Sequence, residues 1–87
     1  MAKYKIIFKK SVAKDLRSIP NHDVKKILSR IEALADDPRA DGCIKLTGDD
    51  KYRVRQGLYR VVYEIRDAEL VVSVIKVGHR SSIYKSN

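Results

Sequence analysis

The chain is short of cysteine and of long apolar runs, and both shortages exclude whole classes of protein. The one cysteine, Cys43, cannot form an internal disulfide, and its apolar neighbour Ile44 favours a small packed side chain over a reactive thiol. No apolar run is long enough to cross a bilayer, and residues 1–5 lack the apolar stretch of a secretion signal. With 87 residues, we expect a single domain, 1–87, in the cytoplasm and without membrane contact.

Negative charge is also scarce relative to positive charge. The chain has 19 lysines and arginines against 11 aspartates and glutamates, which gives a formal net charge of +8. The excess lies at the two ends: residues 1–20 carry +5, residues 21–48 are balanced, and residues 49–87 carry +3. Such a surplus steers a protein toward polyanions, nucleic acid above all. Ordinary solvated lysines give the same excess in many small proteins, so charge alone leaves both interpretations open.

The first half of the chain has the spacing of one strand followed by two helices. Apolar side chains alternate over residues 3–8, as in a short strand. From Ser11, a plausible N-cap, they recur every three or four positions as far as Pro20. Asn21 is placed to cap a longer amphipathic helix that ends before Pro38.

The second half has the spacing of strands. Residues 51–55, 58–65 and 70–77 are predicted strands, and tight turns are predicted at 56–57 and 67–68. Three strands joined in this way form an antiparallel meander. The predicted fold class is therefore α+β: an N-terminal strand, two helices and a three-stranded meander, with both helices packed on one face of the sheet.

The face of the meander that no helix covers is predicted to carry a group of arginines. Alternation places Arg53 and Arg55 on that face, and Arg60 is expected to join them from the next strand. Like charges side by side on a sheet repel one another, a cost that is easier to understand if an anion normally lies among them. The alternative is that these side chains extend into water or pair with Glu64 and Asp49.

The C-terminal stretch brings three further functional groups together in the sequence. His79, Arg80 and Tyr84 follow directly after the most apolar strand. Imidazole exchanges protons near neutral pH, guanidinium holds phosphate with two parallel hydrogen bonds, and a phenol stacks or hydrogen-bonds. Together they suggest work on a nucleic-acid backbone, and the alternative is a frayed basic tail whose tyrosine packs on the core. His22, at a helix start, is expected to be a surface residue.

Several short segments resemble the RelE family of bacterial and archaeal toxins, which are the toxin halves of toxin–antitoxin pairs. The segments follow the family's order along nearly the whole chain. They are residues 8–16, 34–39, 45–48, 52–55, 59–63 and 79–84. The resemblance implies the RelE-like fold and an antitoxin partner, expected to be acidic with an amphipathic helix that covers the basic surface in a hetero-oligomeric complex.

The resemblance also implies an activity. It is that of a ribosome-dependent endoribonuclease, needing neither metal nor cofactor, that cuts mRNA in the decoding site. The ribose 2′-hydroxyl attacks the adjacent phosphate and leaves a 2′,3′-cyclic phosphate and a free 5′-hydroxyl. Arg53, Arg55, Arg60 and Arg80 match the positions of the family's basic catalytic cluster, and Tyr84 matches its C-terminal tyrosine.

The chain departs from the family in the second predicted strand, residues 51–55, where well-studied members carry lysines and this chain has Arg53 and Arg55. Arginine binds phosphate well but does not give up a proton at pH 7, so the general base is open. His79 is the candidate from the sequence, and Lys51 and Glu64 are weaker ones. The predicted catalytic residues are Arg55, Arg60, His79, Arg80 and Tyr84, and the predicted RNA-binding residues are Lys45, Lys51 and Arg53.

Two other functions stay open at this point. One is the ParE-like use of the same fold, in which the toxin inhibits DNA gyrase without cutting RNA. The other is a homologue that binds RNA or its antitoxin but has lost catalysis, which the missing lysines keep in consideration.

Overall fold

The computed structural model describes residues 3–46 and 50–79 and places five strands in one mixed sheet. The strands are β1 (Lys5–Phe8), β2 (Ile44–Lys45), β3 (Lys51–Gln56), β4 (Tyr59–Arg66) and β5 (Val71–His79). Their order across the sheet is β1-β5-β4-β3-β2. β1 runs parallel to β5, and the other neighbours are antiparallel, so β3, β4 and β5 form the predicted meander.

Two helices pack on one face of this sheet. Helix α1 spans Lys10–Arg17 and α2 spans Asn21–Ala33, and they bury Val12, Ile27 and Ile31 against the strands. The strand residues of the core are Val54, Val61, Tyr63, Ile65, Val72, Val74 and Val77. All of them share one side of the sheet by register, so the α+β prediction with helices on a single face is confirmed.

Several boundaries differ from the sequence-based expectation. Lys9, not Ser11, is the N-cap of α1, and it makes no side-chain capping bond. Pro20 holds the N-cap position of α2, which makes Asn21 the first helical residue, and the helix ends at Ala33, before a turn that leads to Pro38. The helix therefore ends before Pro38, as expected, and a turn lies between the two.

The connection from β4 to β5 is longer than the predicted two-residue turn. A 3-10 turn covers Asp67–Glu69, and Leu70 then takes a left-handed conformation with φ of 52°. Farther along, β5 contains a bulge: Val62 pairs with Lys76 while Tyr63 pairs with Val74. Ile75 is therefore the extra residue, and the positions of β5 after it change faces relative to those before it.

Candidate anion-binding site on the sheet

The centre of the candidate site is a cross-strand pair of arginines. Arg55 of β3 and Arg60 of β4 lie directly opposite each other in register. The register is fixed by a two-residue turn whose first residue, Gly57, has φ of +61°, a conformation that glycine adopts without strain. Side chains opposite each other in this way start from Cβ atoms about 4.5–5.5 Å apart. The two arginine side chains thus leave the sheet from neighbouring positions on the face that α1 and α2 do not cover.

The surroundings of the pair differ on its two sides. Arg55 is exposed, whereas Arg60 is only 3% exposed. Gly78 lies opposite Arg60 on β5, so the neighbouring strand adds no side chain there. Arg53, half-buried, lies two positions before Arg55 on the same side of β3. We call the side that carries Arg53, Arg55 and Arg60 the arginine face.

Acidic side chains on the arginine face lie toward its other end. Glu64, opposite Lys51, forms an ion pair with Arg66 at 3.7 Å, and Arg66 also contacts Glu69 at 3.8 Å. Asp49, the other carboxylate considered from the sequence, lies outside the described residues. Positive charge is therefore concentrated at the hairpin end of the face, next to Arg55.

The structure brings some of the sequence-predicted residues together and separates others. Arg53, Arg55 and Arg60 share the arginine face, and Lys51 lies farther along it. Lys45 does not join them, because it pairs with Tyr52 and therefore lies on the opposite side of the sheet. The predicted residues Arg80 and Tyr84 lie outside the described residues.

His79 is not on the arginine face. It pairs with Tyr59 on the helix-covered side, and the two rings meet edge to face with centroids 5.9 Å apart. Tyr59 in turn donates a hydrogen bond to Asp23 at the start of α2, at 3.4 Å, and burial followed by the nearby carboxylate raises the pKa of its phenol. The bulge at Ile75 is the cause, since an unbroken alternation would have placed His79 beside the arginines. Its catalytic role stays a prediction.

His22, by contrast, lies where it was expected. Its side chain is 75% exposed at the start of α2, 3.4 Å from the carboxylate of Asp23.

A group of contacting residues that the sequence did not indicate braces the other end of the sheet. Arg39 donates to both carboxylate oxygens of Asp67 at 3.0 and 2.8 Å, and its Nε donates to the hydroxyl of Tyr52 at 3.2 Å. Tyr4 donates to the same carboxylate at 2.6 Å. The hydrogen bonds from Arg39 and then Tyr4 lower the pKa of Asp67 to about 2. These contacts join the residue before β1, the loop after α2, β3 and the β4–β5 turn, so we assign them to stability.

Tyr63 extends this brace into the core. Its ring stacks on Tyr52 with centroids 5.9 Å apart, and its buried hydroxyl donates to the carbonyl oxygen of Pro38 at 2.7 Å. Burial raises the pKa of this phenol above its usual value. The loop that carries Arg39 is thereby fixed to the helix-covered side of the sheet.

Two pockets of the described residues differ in character. The larger, of about 790 Å³, lies between β1 and α2, and its lining includes Ile6, Phe8 and Leu28. It is remote from the arginine face. A smaller one, of about 290 Å³, is lined by Arg53 and Arg55 of β3, by Ile44 of β2, and by Arg30 and Gly42 from outside the sheet, so it adjoins the arginine face. No helix within 3–46 and 50–79 has the length and apolar character that a membrane span requires.

The chain is similar to known toxins of toxin–antitoxin systems. A family model described as the ParE toxin of the type II toxin–antitoxin system parDE matches residues 6–84. A candidate toxin, RelE1, of Methanocaldococcus jannaschii is 32% identical, and the match covers 97% of this chain and 98% of that protein.

Two solved structures are similar along most of the chain. The archaeal RelE–RelB complex from Pyrococcus horikoshii gives a TM-score of 0.77 at 30% identity, covering 92% of this chain and 97% of that one. The isolated RelE toxin of Escherichia coli gives a TM-score of 0.78 at 26% identity, covering 93% and 90%. The matched residues of the family model, 6–84, include both strands that carry the arginine pair.

Proposed function

Because the chain belongs to the RelE/ParE superfamily of type II toxins, we propose that it is a ribosome-dependent endoribonuclease that cuts mRNA. It is a toxin of the RelBE type. The observation that supports RNA cleavage is the in-register pair of Arg55 and Arg60, with Arg53 beside it, on the sheet face that neither α1 nor α2 covers. Such a face suits a phosphodiester backbone, which needs closely spaced cations.

The arginines suit the electrostatic part of the reaction. When the 2′-hydroxyl attacks the adjacent phosphate, the phosphorane gains negative charge, and a preorganised guanidinium stabilises it more than it stabilises the substrate. The attraction is stronger where water is excluded, as it is at Arg60. Arg55, exposed at the strand opposite, is placed to hold the same phosphate with a second fork of N–H groups.

Proton transfer is a separate requirement, and arginine does not meet it. His79 lies on the other side of the sheet, and Lys51, four positions before Arg55, is about 13 Å away along the strand. Glu64, opposite Lys51, is equally far. We therefore assign orientation and charge stabilisation to the arginines, and we leave the proton transfers to water, to the ribosome or to the late residues from His79 to Tyr84.

The proposal is tested by removing the pair. Arg55→Ala is the first variant, because Arg55 is exposed and its loss leaves the core intact. Arg60→Ala and Arg60→Lys follow, and the lysine variant keeps the charge but loses the planar fork. Loss of one such contact is expected to lower the single-turnover rate on ribosome-bound mRNA about 100- to 1,000-fold, which is about 3–4 kcal/mol of transition-state stabilisation.

Arg66→Ala is the matched control, since Arg66 is exposed on the same strand and engaged with Glu64 and Glu69. Its rate should stay within about threefold of wild type. Primer extension on mRNA from induced cells gives the same comparison in vivo. Unchanged cleavage in soluble Arg55→Ala and Arg60→Ala would rule out the arginine face as the site.

The second candidate function is the ParE-like alternative from the sequence, gyrase inhibition, which is retained because the matched family model is that of a ParE toxin. Gyrase-linked DNA breaks in an expressing cell, with intact mRNA, would select it. If expression causes neither mRNA cleavage nor gyrase-linked DNA breaks, and the chain still binds its antitoxin, it is a homologue that has lost catalysis.

The proposed partner follows from the same surface. The similar RelE of Pyrococcus horikoshii was solved in complex with RelB. For this chain we propose a cognate acidic antitoxin in the cytoplasm, whose carboxylates neutralise the arginine face and so compete with RNA.

A further inference from the structure

The smaller pocket unites three arginines from two different elements. Arg53 and Arg55 reach it from β3, and Arg30 reaches it from α2, with Gly42 and Ile44 completing the lining. No acidic residue lines the pocket within the described parts of the chain. Its volume is about 290 Å³. The spacing along α2 alone would put Arg30 on a solvated outer face, but the structure brings it to a pocket shared with β3.

The guanidinium of Arg30 is held in place by that loop. Its Nη2 donates a hydrogen bond to the carbonyl oxygen of Asp41 at 3.3 Å, and Arg30 is half-buried. Gly42 has φ of +91°, and a Cβ atom at this position would lie 3.3 Å from the same nitrogen. A side chain at position 42 would therefore crowd the guanidinium, whereas glycine lets it rest against the backbone. This is a positioned group, not a freely rotating surface side chain.

The sheet leaves room for a ligand beside Arg55. β2 is only two residues long and pairs with Tyr52 and Arg53, so the ladder does not extend to Arg55 on that edge. A bound RNA strand could therefore pass from the arginine face around the edge of β3 into the pocket. Arg55 belongs to both places, since it pairs with Arg60 on the face and lines the pocket with Arg30.

We propose that Arg30, Arg53 and Arg55 bind a second phosphate of the RNA strand, adjacent to the phosphate held by Arg55 and Arg60. The inference rests on the proposed function, because it extends that site by one phosphate. Three guanidinium groups without an acidic neighbour in the lining suit an anion, and their planar forks match phosphate oxygens. Continuity with the arginine face favours the next phosphate of one strand over an isolated carboxylate of a partner.

Arg30→Gln is the test variant, and Arg17→Gln is its matched control. Both changes remove one positive charge from a helix, but Arg17 is exposed at the end of α1 and does not line the pocket. On ribosome-bound mRNA, Arg30→Gln should raise KM about tenfold with kcat within about threefold, since a phosphate next to the reacting one contributes to binding more than to chemistry. Arg30→Lys should restore part of the loss. Equal KM values for Arg30→Gln and Arg17→Gln would overturn the inference.

A second measurement does not depend on cleavage. The probe is a single-stranded RNA oligonucleotide with 2′-O-methyl riboses, whose binding is followed by fluorescence anisotropy at several salt concentrations. Loss of one phosphate contact should lower the slope of log K against log salt by about 0.7 in Arg30→Gln and leave it unchanged in Arg17→Gln. Failure of wild type to bind, or identical slopes for both variants, would overturn the inference.

These two measurements also separate this inference from the proposed function. A wild type that does not cut mRNA refutes the proposed function, while the oligonucleotide still decides the role of Arg30. If Arg30→Gln weakens the complex with the antitoxin but leaves RNA binding unchanged, the pocket holds a partner carboxylate and the phosphate assignment is wrong.

Discussion

Asp15 provides a sharp test of how the free edge of β5 is held. β1 pairs with β5 only from Val71 to Val74, so within the described residues the later part of β5 has no strand beside it on that edge. Asp15, in the last turn of α1, takes that place: its Oδ2 accepts a hydrogen bond from the backbone N–H of Val77 at 3.1 Å. We predict that Asp15→Ala lowers the free energy of unfolding by about 1 kcal/mol.

The magnitude is the difference between opposing effects. A hydrogen bond to a charged acceptor contributes about 1.5–3 kcal/mol, and partial burial favours the middle of that range. Against this loss, alanine is a better helix former by up to about 0.7 kcal/mol. Removing a carboxylate from the C-terminal turn of a helix gains about 0.3–1 kcal/mol from the macrodipole. A net loss near 1 kcal/mol corresponds to a fall in Tm of about 4–8 °C for a domain of this size.

Thermal and urea unfolding provide the measurement. Asp15→Asn keeps an acceptor oxygen and should lose less than Asp15→Ala. Asp36→Ala is the control, because Asp36 is exposed just after α2, and its effect should stay within about 0.5 kcal/mol. The two helix effects taken alone predict that Asp15→Ala is more stable than wild type. An unchanged or higher Tm for that variant would therefore refute the reasoning about the edge of β5.

Two further predictions concern titrating groups. If His79 moves a proton, His79→Ala should slow single-turnover cleavage and abolish its pH dependence between about 5 and 8 without weakening ribosome binding; if it only packs on Tyr59, the Tm falls and the rate does not. Asp67, held by Arg39, has a pKa lowered from 3.8 to about 2, so its ionised form contributes stability above pH 4 that is lost as the pH falls toward 2. Asp67→Asn should lack this part of the acid dependence in unfolding curves recorded from pH 5 to pH 2, and a loss as steep as that of wild type would contradict the assignment.

The sequence predicts the meander and the arginine face because both depend on strict alternation. Val54 lies between Arg53 and Arg55, and the structure buries the valine while leaving both arginines on the other side. In a strand with one buried face, apolar residues occupy every second position, and this alternation is visible in the sequence. β2 carries none, since two residues have no period, and its pairing depends on contacts that only the folded chain makes.

The bulge that turns His79 away from the arginine face has a signature in the sequence. Val72 and Val74 set the phase of the buried side, and the same phase would have put Lys76 in the core and Val77 outside it. A charged residue at a core position and an apolar one at the next indicate that the phase changes, which is what a bulge does. The sequence of β5 therefore contains a sign of the bulge at Ile75.

The positions of Arg30 and Asp15 were not predictable in this way. Both residues lie on helices, where their spacing fits a solvated face. Arg30 is fixed by the backbone of Asp41 and the space at Gly42, and Asp15 by a backbone N–H of β5. Contacts between a side chain and a distant backbone group leave no periodic trace in the sequence.

The pairing of β1 with β5 sets the order in which the sheet is completed during synthesis. Lys5 pairs with Val71, so 66 positions separate the two partners, and β5 lies between β1 and β4. The β3–β4 hairpin, with Arg55 opposite Arg60, needs only local contacts, whereas the core beneath it also needs the buried side of β5. The arginine pair is therefore synthesised before the core residues of β5 that pack beneath it. A chain proposed to act on ribosomes stays unfinished for as long as its own ribosome is still making β5.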